Sequence, residues 1–279
     1  MVRIQGEVGK EFEFTVRDFE RVRTLIHRRA GIALADSKQE KVYSRLARRL
    51  RATGMRAFAD YLDRLEQGGD AGEWEAFTNS LTTNLTAFFR EAHHFPILAA
   101  HVRQVPRPVA VWCAASSTGE EPYSIAMTLC ETFGSLTPPA RVVATDIDTG
   151  VLATAQEGIY PFDRVSRMPE ERLKRFFLKG KGGQAGMVRV RPELRRLVSF
   201  DRLNLLDPRW ALKGPFDAIF CRNVMIYFDK PTQARILAAF VPLLKPDGLL
   251  FAGHSENLSY VSDAFTLRAR TVYQLSRPT

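Results

Sequence analysis

The spacing of apolar residues changes along the chain, from a helical period to an alternation of short apolar runs with helical stretches. In residues 18–30, 37–53 and 58–65 the apolar positions recur at helical spacing, which predicts three helices. Asp18 is a candidate N-cap for the first helix, and Ser37-Lys-Gln-Glu40 is a candidate capping box for the second. The N-terminal part of the chain is therefore expected to be a helical domain.

A polar stretch follows in which threonine and asparagine are frequent. It runs over residues 74–90 and contains Thr78, Asn79 and Asn84. Side chains of these types compete with a helix for backbone hydrogen bonds. We therefore expect residues 76–106 to form a linker that supplies polar groups to a site.

From about residue 107 onward, short apolar runs and helical stretches alternate. Strands are predicted over residues 109–113, 141–146, 216–221, 248–252 and 272–275, and helices over residues 120–133, 149–157 and 231–244. This alternation predicts an α/β fold with an open, doubly wound sheet. Residues 168–200 interrupt it with a glycine-rich turn and two strand-like runs, which indicates a small antiparallel insert at about residues 178–202.

The first predicted strand and helix of the α/β part enclose a turn made only of small residues. The turn runs Ala-Ala-Ser-Ser-Thr-Gly over residues 114–119. Such a turn lets a ligand lie against the backbone, and the following helix directs its first N–H groups toward that ligand. A nucleotide-like ligand is the functional interpretation. A plain packing element is the alternative, because the dinucleotide fingerprint G-x-G-x-x-G is absent.

Two carboxylates end the next predicted strand. Asp146 stands where an acid of a βαβ unit holds the ribose hydroxyls of a nucleotide. Asp148 has a second interpretation, as the cap of the helix that begins after it. Asp146 is therefore the candidate ribose ligand.

Composition indicates the number of domains and the cellular location of the protein, but it says little about function. With 279 residues, of which 45% are hydrophobic, the chain can hold two domains with cores of their own. No apolar run is long enough to span a membrane and the N-terminus is too polar for a signal peptide, so a cytoplasmic location is expected. The three cysteines and five histidines lack metal-binding spacing, so neither a metal site nor a disulfide is expected.

Positive charge is concentrated in two segments, residues 37–56 and 164–197, within a net charge of +9. The basic face of the second predicted helix consists of Lys41, Arg45, Arg48, Arg49 and Arg51. A charged helix face is commonly no more than solvated. Like charges without an interleaved acid repel one another, however, which favours an acidic partner.

Four longer motifs add to this pattern. They are Thr83-Asn-Leu-Thr-Ala-Phe-Phe-Arg90, Ser117-Thr-Gly-Glu-Glu-Pro-Tyr-Ser124, Phe220-Cys-Arg-Asn-Val-Met-Ile-Tyr-Phe228 and Leu244-Lys-Pro-Asp-Gly-Leu-Leu-Phe-Ala-Gly-His-Ser-Glu256. Together they resemble the chemotaxis receptor methyltransferases of the CheR type, over nearly the whole chain. The resemblance implies a helical domain at residues 1–75 and a class I, Rossmann-like S-adenosylmethionine-dependent methyltransferase domain at residues 107–279.

The resemblance also implies a reaction and its residues. Members of this family transfer a methyl group from S-adenosyl-L-methionine to glutamate side chains of bacterial chemoreceptors and release S-adenosyl-L-homocysteine. The cofactor-binding positions that it implies are Asn84, Thr86, Arg90, Glu121, Asp146, Asn204, Leu205, Arg222 and Asn223. Of the two adjacent acids Glu120 and Glu121, the spacing favours the second. Arg90 and Tyr227 fall nearest the reacting centre and are the candidate catalytic residues.

A glutamate carboxylate has an ordinary pKa of about 4.3, so it is ionised at neutral pH and its attack on a methyl group needs no strong base. Arg90 is expected to position charge at the cofactor carboxylate or the incoming glutamate, and Tyr227 to orient the methyl donor through its hydroxyl. The alternatives are a structural cap for Arg90 and a packing role for Tyr227.

The resemblance implies protein partners as well. Lys41, Arg45, Arg48 and Arg49 are expected to dock a monomeric enzyme on the acidic helical bundle of a receptor. The insert is expected to bind a C-terminal receptor tether as an added strand. Two other classes stay open, a nucleic-acid methyltransferase and a non-catalytic adaptor. Against the first, residues 223–227 read Asn-Val-Met-Ile-Tyr, without the prolines of an Asn-Pro-Pro-Tyr run.

Overall fold

Two units make up the chain in the computed structural model, Met1–Thr82 and Thr83–Thr279, and the structure describes residues 11–68 and 70–276. The first unit is helical and the second is built on a sheet. Within the described ranges, no helix has the length and apolar character needed to cross a membrane.

Over residues 11–68 and 70–82, the helical unit contains four α-helices. They are α1 (Val16–Ala30), α2 (Gln39–Thr53), α3 (Phe58–Glu66) and α4 (Ala71–Leu81). The three helices that the apolar spacing predicts are confirmed as α1 to α3. The apolar faces of α1 to α4 form a core. It contains Val22, Leu46, Leu62 and Phe77, one from each helix and all without exposed surface.

The first two helices begin differently from the prediction. Thr15, not Asp18, is the N-cap of α1, and Asp18 completes a capping box with it. The predicted box from Ser37 to Glu40 is wrong, because Asp36–Lys38 form a 3₁₀ turn and the N-cap of α2 is Lys38, which makes no side-chain cap. Both differences move a helix start by less than one turn.

Helix α4 replaces the first part of the expected linker. Its threonine and serine hydroxyls bond within the helix, since Thr78 Oγ1 donates to the carbonyl of Trp74 and Ser80 Oγ to that of Ala76. Asp70 caps the N-terminus by accepting the N–H of Glu73. Of residues 76–106, the structure leaves 82–93 and 103–106 outside regular helix, because α4 ends at Leu81 and a further helix covers His94–Val102.

Up to residue 276, the second unit contains ten strands and six α-helices. The strands are β1 (Val109–Cys113), β2 (Ala140–Asp146), β3 (Ile159–Pro161), β4 (Phe177–Lys179), β5 (Met187–Val190), β6 (Val198–Arg202), β7 (Phe216–Cys221), β8 (Leu244–Ala252), β9 (Phe265–Ala269) and β10 (Val272–Leu275). The helices are α5 (His94–Val102), α6 (Glu120–Phe133), α7 (Thr149–Glu157), α8 (Glu170–Phe176), α9 (Pro192–Arg195) and α10 (Lys230–Phe240).

Seven strands form one sheet in the order β6-β2-β1-β7-β8-β10-β9, in which the first five strands are parallel. Strand β10 is antiparallel to both of its neighbours. A separate apolar core lies on each face, one containing Leu129 of α6 and the other containing Phe240 of α10. The predicted α/β fold with an open sheet is thus confirmed.

The insert begins and ends earlier than predicted, at Ile159 and Val190 rather than at about residues 178 and 202. It is a three-stranded antiparallel sheet in the order β3-β5-β4. Strand β6, which the sequence assigns to the insert, instead pairs parallel with β2 and closes the large sheet. The reason is packing, because Val198 and Phe200 join the same core as Val142. The sequence of a short strand shows which of its faces is buried, but it does not show with which other strand it pairs.

The carboxyl ends of β1, β2, β7 and β8 face one edge of the large sheet, since these strands are parallel and adjacent. In open α/β sheets this edge is where ligands bind. Asp146 ends β2, and Arg222 directly follows β7.

Candidate active site

The turn after β1 brings bare backbone to the carboxyl edge of the sheet. Ser117 and Gly119 both have positive φ, +47° and +100°. A Cβ atom at Gly119 would lie 2.7 Å from Tyr160 Oη and 2.9 Å from Ala155 Cβ, so only glycine fits. Gly119 is the N-cap of α6 and has no side chain to satisfy the first N–H groups of the helix. These N–H groups can therefore serve a ligand.

Asp146 is held in place by the backbone of that turn. Its Oδ2 accepts the N–H of Ser117 at 2.8 Å, and its Oδ1 accepts that of Asp148 at 3.0 Å. The side chain is 9% exposed, and burial raises the pKa of Asp146 to about 6. A carboxylate has about four lone-pair sites, so Asp146 can still accept two hydroxyls of a diol.

Asp148 takes the capping role, the second of its two interpretations. Its Oδ1 accepts the N–H groups of Gly150 and Val151 at the start of α7. Its Oδ2 accepts Asn84 Nδ2 at 2.8 Å. Asn84 also accepts Ser117 Oγ through its carbonyl at 3.0 Å, so the segment before α5 is tied to the ends of β1 and β2.

Arg222 is the centre of a buried ion cluster at the end of β7. Its side chain is 1% exposed, and its Nη1 lies 2.5 Å from Glu121 Oε2. Its Nη2 lies 3.5 Å from Glu91 Oε2 and donates to the carbonyl of Arg90. One guanidinium therefore joins α6, the end of β7 and the segment before α5.

Two carboxylates of this cluster have shifted pKa values. Burial acts to raise the pKa of Glu91, but Arg222 and the hydrogen bonds from His254 hold it at about 2. Burial also raises the pKa of Glu121, and Arg222 opposes that shift. Glu91 is therefore a fixed negative charge at neutral pH.

The structure brings both candidate catalytic residues to the segments around Arg222. Arg90 is half-buried, its Nη1 donates to the carbonyl of Leu85 at 2.8 Å, and its own carbonyl accepts Arg222. Tyr227 is half-buried on a 3₁₀ turn, Met225–Tyr227, that follows β7.

The remaining candidate cofactor residues lie along the same edge. Leu203 donates its N–H to the carbonyl of Asp146, which places Asn204 and Leu205 just beyond the end of β2. Leu205 is buried. The carbonyl of Thr86 accepts Arg164 Nη2 at 3.2 Å, and the same guanidinium pairs with the buried Glu120. Glu120 thus pairs with Arg164, which follows strand β3 of the insert, whereas Glu121 pairs with Arg222.

Three polar residues that the sequence did not single out are part of this site. Glu91 pairs with Arg222, Glu256 accepts the N–H of Asn223, and Gln233 donates to the carbonyls of Met225 and Phe228. Glu91 and Glu256 each adjoin or end one of the four motifs, which is the signal that could have identified them. Gln233 has no such signal, because it reads as one polar residue in a helix.

Helix α2 divides the four candidate docking residues into two pairs. Arg45 Nη1 donates to the carbonyls of Leu81 and Thr82, and Arg49 forms an ion pair with Glu73 at 2.7 Å. Lys41 and Arg48 are exposed. Two members of the basic face therefore hold the end and the side of α4, and two point to solvent.

The chain matches two family models and several characterised sequences. The model of the CheR methyltransferase all-alpha domain matches residues 17–82, and that of the CheR methyltransferase SAM-binding domain matches residues 84–274. A chemotaxis protein methyltransferase of Escherichia coli (strain K12) is 58% identical over 259 residues, which cover 93% of this chain and 91% of the relative. Chemotaxis protein methyltransferase 2 of Pseudomonas aeruginosa is 55% identical and covers 95% of each chain.

Similarity extends to a distant bacterium, since a chemotaxis protein methyltransferase of Borreliella burgdorferi is 34% identical over 93% of this chain and 97% of its own. The two family models together cover both units of the structure. With the strand-end site described above, these matches show that the chain belongs to the CheR family of S-adenosylmethionine-dependent methyltransferases.

Proposed function

We propose that this chain transfers the methyl group of S-adenosylmethionine to glutamate carboxylates of chemotaxis receptors, forming glutamyl methyl esters. The observation that carries the proposal is its similarity, along almost its whole length, to proteins named chemotaxis protein methyltransferase. Family membership removes the nucleic-acid methyltransferase from consideration.

The residues at the carboxyl edge fit this cofactor. A buried carboxylate with lone pairs to spare, Asp146, suits the ribose hydroxyls, and a turn of small residues suits a close approach to the backbone. The cofactor also has a carboxylate and an ammonium group, and the cluster of Arg222, Glu121 and Glu91 offers charges of both signs. We assign cofactor binding to Asn84, Thr86, Arg90, Glu121, Asp146, Asn204, Leu205, Arg222 and Asn223.

When bound, S-adenosylmethionine supplies a methyl group on a positively charged sulfur. A glutamate oxygen forms a bond to that carbon while the carbon–sulfur bond breaks, so the sulfur becomes a neutral thioether and no proton moves. The chain's own residues therefore supply alignment and exclude water, and alignment of this kind can lower a barrier by roughly 7–11 kcal/mol. Arg90 positions charge at the cofactor carboxylate or the incoming glutamate, and Tyr227 orients the donor through its hydroxyl.

Variants of the two candidate catalytic residues test these roles. Arg90→Ala and Tyr227→Phe are expected to lower turnover at saturating cofactor, because each removes one group that aligns the reactants. Wild-type turnover in both variants would leave Arg90 as a structural residue, bonded to the carbonyl of Leu85, and Tyr227 as a packing residue.

We further assign receptor docking to Lys41, Arg45, Arg48 and Arg49, with the exposed pair Lys41 and Arg48 in direct contact with an acidic receptor. Binding of a receptor tether is assigned to the insert, whose strands β3 and β4 are the two edge strands of its sheet. A monomeric, cytoplasmic enzyme with a helical docking domain and a cofactor-binding domain is part of the same proposal.

The decisive experiment is a methyl transfer to receptor. The protein is incubated with methyl-labelled S-adenosylmethionine and chemoreceptor-containing membranes, and the product is treated with mild base. Label on the receptor that base releases as methanol is the expected result, because glutamyl methyl esters are base-labile. An unlabelled receptor, or label that resists base, would contradict the proposal.

A further inference from the structure

The segment that carries Tyr227 has a backbone that needs support. Asn223 has φ +58°, in the left-handed region, which asparagine adopts more readily than most residues other than glycine. It is followed by the 3₁₀ turn Met225–Tyr227, closed by the N–H of Tyr227 on the carbonyl of Val224. Short 3₁₀ turns have poorer hydrogen-bond geometry than α-helix, so contacts from outside decide whether this one keeps its shape.

Glu256 supplies the first of these contacts. It is 5% exposed, and its Oε2 accepts the N–H of Asn223 at 2.9 Å and that of Gly253 at 2.5 Å. Its Oε1 accepts the N–H of Ile226 at 3.4 Å. A Cβ atom at Gly253 would lie 2.3 Å from Asn223 Nδ2, so the chain after β8 packs directly on this segment.

Gln233 supplies the second contact, from α10. It is 9% exposed, and its Nε2 donates to the carbonyl of Met225 at 2.8 Å and to that of Phe228 at 2.9 Å. Its Oε1 accepts Lys230 Nζ at 3.3 Å, which fixes the orientation of the amide. The carboxylate therefore holds N–H groups of the segment, and the amide holds its carbonyls.

We propose that Glu256 and Gln233 are positioning residues for methyl transfer, which together clamp residues 223–228 and so hold Tyr227 where the reaction needs it. The two side chains have complementary chemistry, an acceptor for N–H groups and a donor for carbonyls, and each serves two peptide groups of the segment. The inference rests on the role proposed above for Tyr227.

The cofactor-binding side of this segment has anchors of its own. Arg222 is held by Glu121 and Glu91, and Asn223 Nδ2 donates to Glu91 Oε1 at 3.2 Å. Within the segment, Gln233 bonds the carbonyls of Met225 and Phe228 and leaves Asn223 untouched, whereas Glu256 also bonds the N–H of Asn223, a residue assigned to the cofactor. The expected signature is a loss of kcat that exceeds any loss of cofactor affinity.

Two isosteric variants test the clamp. Gln233→Met removes both donors to the carbonyls, and Glu256→Gln turns one acceptor into a donor that faces an N–H group. We expect kcat for receptor methylation to fall roughly ten- to hundredfold in both variants. In Gln233→Met the dissociation constant of S-adenosylhomocysteine should change about threefold or less, and in Glu256→Gln, which also loosens Asn223, it should rise by a smaller factor than kcat falls.

Asp217→Asn is the matched control. Asp217 is a fully buried carboxylate at the other end of β7, where it accepts the N–H of Ala110 at 2.8 Å and Lys245 Nζ at 2.7 Å. The change perturbs a buried acid of the same sheet without touching residues 223–228. We expect it to lower the thermal midpoint while kcat stays near the wild-type value, which separates positioning from stability.

A spectroscopic readout makes the test independent of the receptor. With 3-fluorotyrosine placed at position 227 alone, the fluorine resonance is expected to shift or split in Gln233→Met and Glu256→Gln, and to stay unchanged in Asp217→Asn. A wild-type resonance together with wild-type kcat in both clamp variants would overturn the inference. A wild-type enzyme that fails to methylate receptor would instead overturn the proposed function, and the resonance would still decide on the clamp.

Discussion

The basic face of α2 and the single buried Arg222 use the same type of side chain in opposite ways. On α2, Arg45 and Arg49 are half-buried and bonded to α4, and Lys41 and Arg48 are exposed. Arg222 lies alone in its sequence neighbourhood, yet its side chain is 1% exposed and pairs with two carboxylates.

This difference means that the density of charged residues along a sequence does not predict which charged side chain makes the strongest interactions. Interactions between charges are weak in water and strong where solvent is excluded. One enclosed arginine can therefore contribute more than a basic face of five residues. Variants that remove the charges one site at a time are therefore expected to have effects that follow the burial of the charge.

Arg222→Gln is expected to have the largest effect. It leaves Glu91 and Glu121 buried without their counter-charge, and removing one partner of a buried pair costs about 3–5 kcal/mol of unfolding free energy. Chemical denaturation measures that loss, and calorimetry with S-adenosylhomocysteine is expected to detect no binding.

The double variant Arg222→Gln with Glu121→Gln is the control for this reading. It removes one of the stranded negative charges, so it should be more stable than Arg222→Gln alone. Equal stability of the two proteins would mean that the cluster does not act through charge.

The affinity for S-adenosylhomocysteine is expected to depend on the protonation of Asp146. The pKa of this carboxyl is about 6, so at pH 5 only about a tenth of it is ionised and affinity should fall about tenfold from its value at pH 8. Titration calorimetry from pH 5 to pH 8 measures this, and Asp146→Asn should bind weakly with little pH dependence. An unchanged profile in that variant would remove Asp146 from ribose binding.

The raised pKa of Asp146 also affects the stability of the ligand-free protein, and this effect runs in the opposite direction with pH to the effect on ligand affinity. Because the folded pKa of Asp146 lies above its unfolded value, its contribution to stability is present below about pH 4 and is lost as pH rises through about 6. Affinity for the ligand rises over the same range. Glu91, with a pKa of about 2, and His94, whose pKa burial and Arg222 lower to about 3, do not titrate there.

Arg49→Met is expected to have a smaller effect, on the helical unit alone. Arg49 bonds Glu73 through Nε at 3.1 Å and Nη2 at 2.7 Å, and Tyr61 Oη donates to the same carboxylate. Since Tyr61 remains and Arg49 is partly exposed, we expect a loss of about 1–2 kcal/mol in the unfolding of this unit. Adding Glu73→Gln should recover part of the loss, whereas two independent, additive losses would show that the ion pair contributes nothing.

The sequence predicts the frame of both units because apolar periodicity is a local property. It finds β1, β7 and α6 at their observed bounds, and it finds α1 to α3. It places β6 in the wrong sheet, because pairing depends on partners that are distant in sequence. It misses α4. The threonine and serine hydroxyls of this helix donate hydrogen bonds to carbonyls of the same helix, which helix propensity alone does not show.

The candidate site is predictable only in part, for a related reason. Asp146 can be proposed from the sequence because its role follows from its place at a strand end. Glu256 is marked only by its place at the end of a motif, and Gln233 has no signal in the sequence, because each acts on backbone groups of a segment that only the folded chain brings near. The same limit applies to α2, where helical spacing groups four cations that tertiary contacts then divide.

Reversal of the two exposed charges of α2 is expected to have the smallest effect on stability. Lys41→Glu with Arg48→Glu should change the unfolding free energy by about 0.5 kcal/mol or less, because neither side chain is buried. If this pair docks an acidic receptor, the variant should raise KM for receptor, and the increase should shrink as salt screens the charges. The control is Arg17→Glu with Arg28→Glu, which makes the same change in charge at exposed positions of α1. An equal rise in KM in both variants would assign the effect to net charge, whereas a rise confined to the α2 variant would place the docking surface on Lys41 and Arg48.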